Sequence, residues 1–226
     1  PPVGAGRYVL SDENTALSVN RNYYGTQPKY AKIALVDAPD SESVAHYVEV
    51  GATDLYYASA GDSSIFRMDG KKLSINQNRL VYLGVNLKNS ILNNIKVRYG
   101  ISAAINRDKI VSTAYYGNAV AANGPFSPYF KETIGYQTIE TSSNSKIAIE
   151  NLEQIGYNIL DNSGLRKNMN GNYLSFSLLI NKDNPSHVLA ANLIKAQLKE
   201  VGIKISVNPL NYNGYISALK SGSFQL

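Results

Sequence analysis

RLVYLGVN at Arg79–Asn86 and VRYGISAAINRDKIV at Val97–Val111 join an apolar strand to a helix across a short polar stretch. Leu80–Val85 reads as the strand, and Asn93 or Asn94 stands where a helix N-cap is needed. Val97, Ile101, Ala104 and Ile105 then return on one face of a 3.6-residue period. Asn106-Arg107-Asp108 interrupts that face, and Ile110, Val111 and Ala114 resume it. Gly100 costs helix propensity in mid-element, so it marks a place where a neighbouring backbone packs closely.

Working toward the amino end, Gly4–Asn20 alternates around Tyr8, Leu10, Leu17 and Val19 with Asp12-Glu13-Asn14 as a polar turn, which predicts a β-hairpin. Lys32–Val36 follows as a strand, Ser41–Val50 as a short helix on Val44, Tyr47 and Val48 ended by Gly51, and Asp54–Tyr57 as a brief strand. The next stretch is polar and irregular.

Toward the carboxyl end, Pro125 and Pro128 hold an extended loop around Phe126, and Lys146–Ile155 predicts a helix burying Ala148, Leu152 and Ile155 and closing at Gly156. Tyr173–Ile180 alternates with Leu174, Phe176, Leu178 and Ile180 on one face. Asn184 and Pro185 cap and open a helix over Ser186–Val201 with a stripe of Ala190, Ile194, Leu198 and Val201, stopped by Gly202. Ile203, Ile205 and Val207 begin another strand, so the order strand, helix, strand predicts two parallel neighbours with a right-handed crossover. A last helix over Tyr212–Leu219 ends near Gly222, and Phe224-Gln225-Leu226 reads as the first residues of a strand.

Composition narrows function without choosing it. The chain has 226 residues, 44% of them apolar, enough for one core or two small lobes. No stretch approaches the roughly 18 apolar residues of a membrane span. Pro1-Pro2 without a methionine suggests a processed or cut piece. The absence of cysteine removes disulfide and thiol chemistry. A net charge of +5 comes from scattered basic residues, and the densest cluster, Lys71-Lys72 with Arg67, is small, so no nucleic-acid partner is expected. The 17 tyrosines against 5 phenylalanines suit half-buried cleft walls, although the same chain is rich in Asn and Ser, so lineage bias accounts for part of the excess.

The inventory for catalysis is thin. His46 and His187 fall on separate predicted helices, and neither GxSxG nor HExxH occurs. Asp37, Asp40 and Glu42 precede a helix, where acidic side chains favour its positive end. GAG at Gly4–Gly6 and GDSS at Gly61–Ser64 lack the setting and the lysine of a phosphate loop. No enzyme activity, cofactor or metal site is expected.

Six segments, in order, resemble one family, the bacterial extracellular solute-binding proteins of family 5. PVGAGRYVL at Pro2–Leu10 with VNRNYYG at Val19–Gly25 is similar to PVGTGPY and ER-N-x-x-Y-W-G, with Arg7 for proline and Tyr24 for tryptophan. VEVGATDLYY at Val48–Tyr57 resembles the G-x-x-D edge, while YLGVN and VRYGISAAINRDKIV resemble YLxFN and VRxAIxxAIDRxxIV. KIAIENLEQIGY at Lys146–Tyr157 and LIKAQLKEVGIKISV at Leu193–Val207 are similar to the family's two later helix signatures.

The resemblance implies an α/β fold of periplasmic-binding-protein type II-like lobes, mixed sheets flanked by helices, present as an incomplete fragment. Residues 1–78 would be part of a first lobe and 79–226 part of a second, truncated at its carboxyl end. It implies a monomeric receptor for a peptide or other small solute, anchored as a lipoprotein or periplasmic, that serves an ABC permease at the outer face of the cell membrane. A nickel chelate, an oligosaccharide or a sensory role stay open as alternatives, with a hydrolytic enzyme as the rival least favoured by the residue inventory.

In such folds the walls of the cleft come from strand ends and hinge crossings, which selects Tyr82 and Asn86 at the ends of YLGVN. Asn211, Tyr212 and Tyr215 follow a strand at its carboxyl end, the usual position of ligand-facing groups in open α/β sheets. Arg98 and Arg107 are expected to position their helix or bridge to a carboxylate, and Asp54 to serve a turn or the ligand.

Overall fold

A computed structural model describes residues 4–63, 68–77, 79–122, 124–126, 130, 132 and 140–226. The chain divides into two compact units, one reaching Tyr57 and including a short return that ends at Lys71, the other built from Ala58–Ser63 and Lys72–Leu226.

The first unit contains the expected hairpin. β1 (Tyr8–Leu10) and β2 (Ala16–Val19) run antiparallel with Leu10 opposite Leu17 and Tyr8 opposite Val19. The turn closes because Asn14 adopts φ 56° and its N–H donates to the Ser11 carbonyl. Asn is one of the few residues that tolerates this left-handed conformation. β3 (Lys32–Ala34) adds antiparallel to β2. Helix α1 (Ser41–Glu49) starts where Asp40 accepts the Ser43 N–H, a bond that holds its carboxyl below the usual carboxylate range. Gly51, at φ 72°, lies just past its end. Among the described residues Asp54–Tyr57 does not form a strand, and its Leu55 is 84% exposed.

In the second unit helix α2 (Ile95–Ala104) is capped by Asn94 and α3 (Arg107–Ala114) by Asn106, whose side chains accept N–H groups of their own first turns. Val97, Ile101, Ala104 and Ile105 are buried as expected. α4 (Ser145–Glu153) buries Ala148 and Leu152 and packs across α2. Gly100 is the contact point: an added Cβ would lie 3.1 Å from Leu152 Cδ2 and 3.3 Å from the Ala148 carbonyl. Gly100→Ala should therefore gain helix propensity but crowd Leu152, for a net loss of about 1 kcal/mol in urea unfolding. A stabilised variant would mean that the two helices separate without cost.

β4 (Ile159–Leu160) and β5 (Arg166–Lys167) form a small antiparallel ladder absent from the sequence reading. β6 (Ser175–Asn181) and β7 (Lys204–Leu210) pair in parallel from Ser175 opposite Lys204 to Asn181 opposite Leu210, with α5 (Pro185–Glu200) as the crossover. Leu174, Phe176, Leu178 and Ile180 enter the core with Ile203 and Ile205. On α5 the buried alanine is Ala191, and Ala190 is only half-buried. Steps of three, four and three from Ala191 through Ile194 and Leu198 to Val201 keep to one helix face, whereas two successive steps of four drift off it.

α6 (Tyr212–Ser221) ends at Gly222 in the left-handed conformation. Beyond it the Leu226 N–H donates to the Ser177 carbonyl and the Leu226 carbonyl accepts from Leu179, so Leu226 lies beside β6, although Phe224-Gln225-Leu226 is not itself a strand. Leu80–Val85 differs from the reading. Leu83 and Val85 pack against the core, but no backbone hydrogen bond joins residues 79–85 to a neighbour among the described residues, and pairing begins at Asn86. The expected loop around Phe126 falls partly on Ser127, Pro128 and Tyr129, outside the described residues.

Candidate binding site

The carboxyl ends of β6 and β7 are fastened together. The Lys182 N–H donates to the Leu210 carbonyl at 2.8 Å, and the Tyr212 N–H donates to Asp183 Oδ2 at 2.7 Å. Asn184 Oδ1 accepts from Ser186 and His187, starting α5, while Asn211 Oδ1 accepts from Gly214, starting α6. Two helix N-termini thus open at the same sheet end, each capped by the chain's own side chains. Asn211 is engaged as a cap. Tyr212 stands 58% exposed beside it, and Tyr215 is half-buried one turn on. Burial pushes the pKa of His187, in the first turn of α5, below its ordinary value.

Tyr82 and Asn86 belong to a second cluster. Asn86 hydrogen-bonds just past the carboxyl end of α6, whereas Tyr212 opens that helix, so a ten-residue helix of about 15 Å stands between the two groups. Tyr82 is 78% exposed. The Asn86 amide donates to the Gly222 and Phe224 carbonyls at 3.0 and 2.8 Å and its oxygen accepts from the Lys88 N–H, so both of its amide donors are engaged within the protein.

Among the described residues Arg98 and Arg107 donate to carbonyls and one hydroxyl rather than to carboxylates. Arg98 donates to the Leu92 and Asn93 carbonyls, and Arg107 to those of Ser102, Ile105 and Glu140 and to the Ser102 hydroxyl. Asp54 is exposed.

A residue without a sequence signal is Arg166, 3% exposed in the core. Its Nε donates to the Val201 carbonyl, and one terminal nitrogen donates to the Tyr157 carbonyl and to Glu153 Oε1. At the opposite end of β6 and β7, Asp161, Leu165, Tyr173, Ser175 and Lys204 line an open hollow of about 410 Å³. Asp161 is held at about 2 by hydrogen bonds from Ser163 and Leu165 in its own turn, and its hydrogen bond with Tyr173 raises that phenol. DNSG at Asp161–Gly164 was the available turn signal, with Gly164 at φ 78°.

Among the described residues no group of three or more His, Cys, Asp or Glu side chains is gathered to hold a metal ion. No helix among them is long and apolar enough to cross a membrane.

A parallel strand pair with a helical crossover, followed by a helix and a third aligned segment, defines an α/β lobe. The fold recurs in solved structures: NikA from Brucella suis, in complex with Fe(III)-EDTA, superposes with a TM-score of 0.78 at 20% identity over 99% of this chain and 47% of that one. A periplasmic oligopeptide-binding protein from Thermotoga maritima gives 0.76 at 19% identity over 99% and 46%. In sequence, the oligopeptide-binding protein AppA of Bacillus subtilis is 23% identical over 227 residues, covering 96% of this chain and 41% of AppA. Heme-binding protein A of Haemophilus influenzae is 24% identical over 93% of this chain and 38% of its own length. Residues 1–226 match the middle portion of the bacterial extracellular solute-binding proteins, family 5, and the chain belongs to that family. It spans about two fifths of the length of these two relatives.

Proposed function

We propose that this chain is part of the solute-gripping body of an extracellular receptor for an ABC importer, and that the solute is a peptide. In this reading residues 1–78 and 79–226 contribute to different lobes. The solute meets Tyr212 and Tyr215 at the joined carboxyl ends of β6 and β7 and the exposed ring of Tyr82, with Asn211 and Asn86 shaping these surfaces through the backbone. The observation that carries it is the fastening of two strand-end loops beside an exposed aromatic side chain, where open α/β sheets place ligands. Exposed aromatic side chains suit backbone-directed binding of varied side chains. The relatives named for oligopeptides favour the same solute. The receptor would act as a monomer outside the cell, as a lipoprotein or periplasmic protein, with a permease as its protein partner and neither nucleic acid nor catalysis involved.

Native mass spectrometry of the protein at its natural length, purified gently, tests the solute. A ladder of peptides at one-to-one occupancy is expected. A single metal chelate, a heme or an oligosaccharide would replace the peptide assignment with another branch of the family, and chemical turnover of an added peptide would overturn the binding-only role. Tyr212→Ala should weaken binding of the released peptide by about tenfold while the unfolding midpoint moves by a few degrees at most. An unfolded variant, or one with unchanged affinity, would return Tyr212 to a packing role.

A further inference from the structure

GDSS, which begins at Gly61, lacks the lysine of a phosphate loop, yet its glycine sits where a larger residue would collide. Ser59–Asp62 forms a tight turn, closed by the Asp62 N–H donating to the Ser59 carbonyl at 3.0 Å. The Gly61 backbone lies outside the left-handed region, so the turn itself does not demand glycine. Space does. A Cβ on Gly61 would fall on Ser186 Oγ, 2.7 Å from Ser186 Cβ and 3.4 Å from the Ala114 carbonyl oxygen. Rotating the Ser186 side chain would clear the hydroxyl but not the Cβ. Ser186 is buried in the first turn of α5 and Ala114 is buried at the end of α3, so the turn is seated where these two packed helices meet. A second tie comes from Asn118, just beyond α3, whose amide donates to the Ala60 carbonyl at 3.4 Å. Ala58–Ser63 accordingly groups with the second unit, whereas the chain up to Tyr57 belongs to the first.

We infer that the close approach of Gly61 to Ser186 is a clasp: it fixes the turn Ser59–Asp62 to the first turn of α5, so that this stretch travels with the second unit and the chain bends ahead of Ala58. The physical reason is that a backbone pressed directly on a buried side chain has no rotamer with which to absorb displacement, whereas hinges form at the few residues that are not held in this way. Each of these contacts joins residues between Ser59 and Ser186. The clasp also reaches the proposed solute site. Ser186 donates its N–H to Asn184, and the neighbouring Asp183 accepts the Tyr212 N–H, so the chain leaving the first unit is tied to the loop that borders Tyr212. That last consequence rests on the proposed solute site, while the clasp itself does not.

The test uses the protein at its natural length, with nitroxide labels on the pair Ser59→Cys and Lys199→Cys or on the pair Leu55→Cys and Lys199→Cys, all at exposed positions. Distances are read by pulsed electron resonance with and without a defined nonapeptide, and amide exchange is followed at Asp62. The Ser59 pair should give one narrow distance that the nonapeptide leaves unchanged, and the Leu55 pair a broader one. Gly61→Ala should lose both the narrow distance and the protection of the Asp62 N–H. Ser186→Gly removes both colliding atoms, so Gly61→Ala combined with Ser186→Gly should recover them, because residues in contact do not act additively. A broad or peptide-dependent Ser59 distance in the parent overturns the clasp, as does a Gly61→Ala variant as narrow as the parent or a double variant that stays broad. A Leu55 distance as narrow as the Ser59 one overturns the bend ahead of Ala58. Should Gly61→Ala fail to fold, a double variant that folds with the parent's distance supports the clasp, and one that also fails overturns it. If the nonapeptide does not bind, the peptide reading fails, while the distances in the free protein still decide the clasp.

Discussion

Gly202→Ala is expected to destabilise the protein by about 3–5 kcal/mol, read as a lower urea midpoint at unchanged slope. Gly202 sits at φ 87°, where an L-residue costs about 1–2 kcal/mol. Crowding adds the rest. A Cβ there would come within 2.4 Å of Arg166 Cγ and 3.1 Å of the Arg166 backbone nitrogen, which itself donates to the Gly202 carbonyl. Neither atom can yield freely, because Arg166 is fixed by hydrogen bonds at its far end and by β5 at its near end. Gly156 provides the control: at φ 88° with open space around the Cβ position, Gly156→Ala should show the conformational cost alone, about 1–2 kcal/mol. Equal losses at the two glycines would mean that the Arg166 contact contributes nothing.

Arg166→Met should cost about 3 kcal/mol, although methionine fills much of the same volume. The guanidinium satisfies the Val201 and Tyr157 carbonyls in a buried setting, and both would be left without this donor. The ion pair contributes less. Glu153 is 47% exposed on its side chain and regains water when the partner goes, so Glu153→Gln should lose only about 1 kcal/mol. Shortening the side chain also relieves the crowding at position 202, so Arg166→Ala combined with Gly202→Ala should lose less than the sum of the two. An Arg166→Met variant as stable as the parent would show that the two carbonyls find other donors.

Much of the second unit was legible because its signals are local. Asn94 and the Asn184-Pro185 pair act on N–H groups within their own first turns, and Gly156, Gly202 and Gly222 stop helices through their own φ. The alternation of Leu174, Phe176, Leu178 and Ile180, a helix, and then Ile203 and Ile205 was enough to predict parallel neighbours. Leu80–Val85 and Asp54–Tyr57 mark where that reasoning stops, since an apolar pattern does not name the partner that would make it a strand. The site residues show the same limit. Asn211 and Asn86 look alike as exposed amides in sequence, and each is bound by the chain itself, Asn211 locally to Gly214 and Asn86 to carbonyls of residues far along the chain.

By itself the sequence determined the helices, their caps and stops, the parallel pair and the family, because each rests on contacts within a few residues or on recurring motifs. Only the tertiary structure decided that Arg166 lies buried under Gly202, that the Asn86 amide donates to the Gly222 and Phe224 carbonyls, and that α6 separates Tyr82 from Tyr212. Those outcomes depend on which distant carbonyls and side chains meet, and burial of a charge or completion of an amide's hydrogen bonds has no local signature.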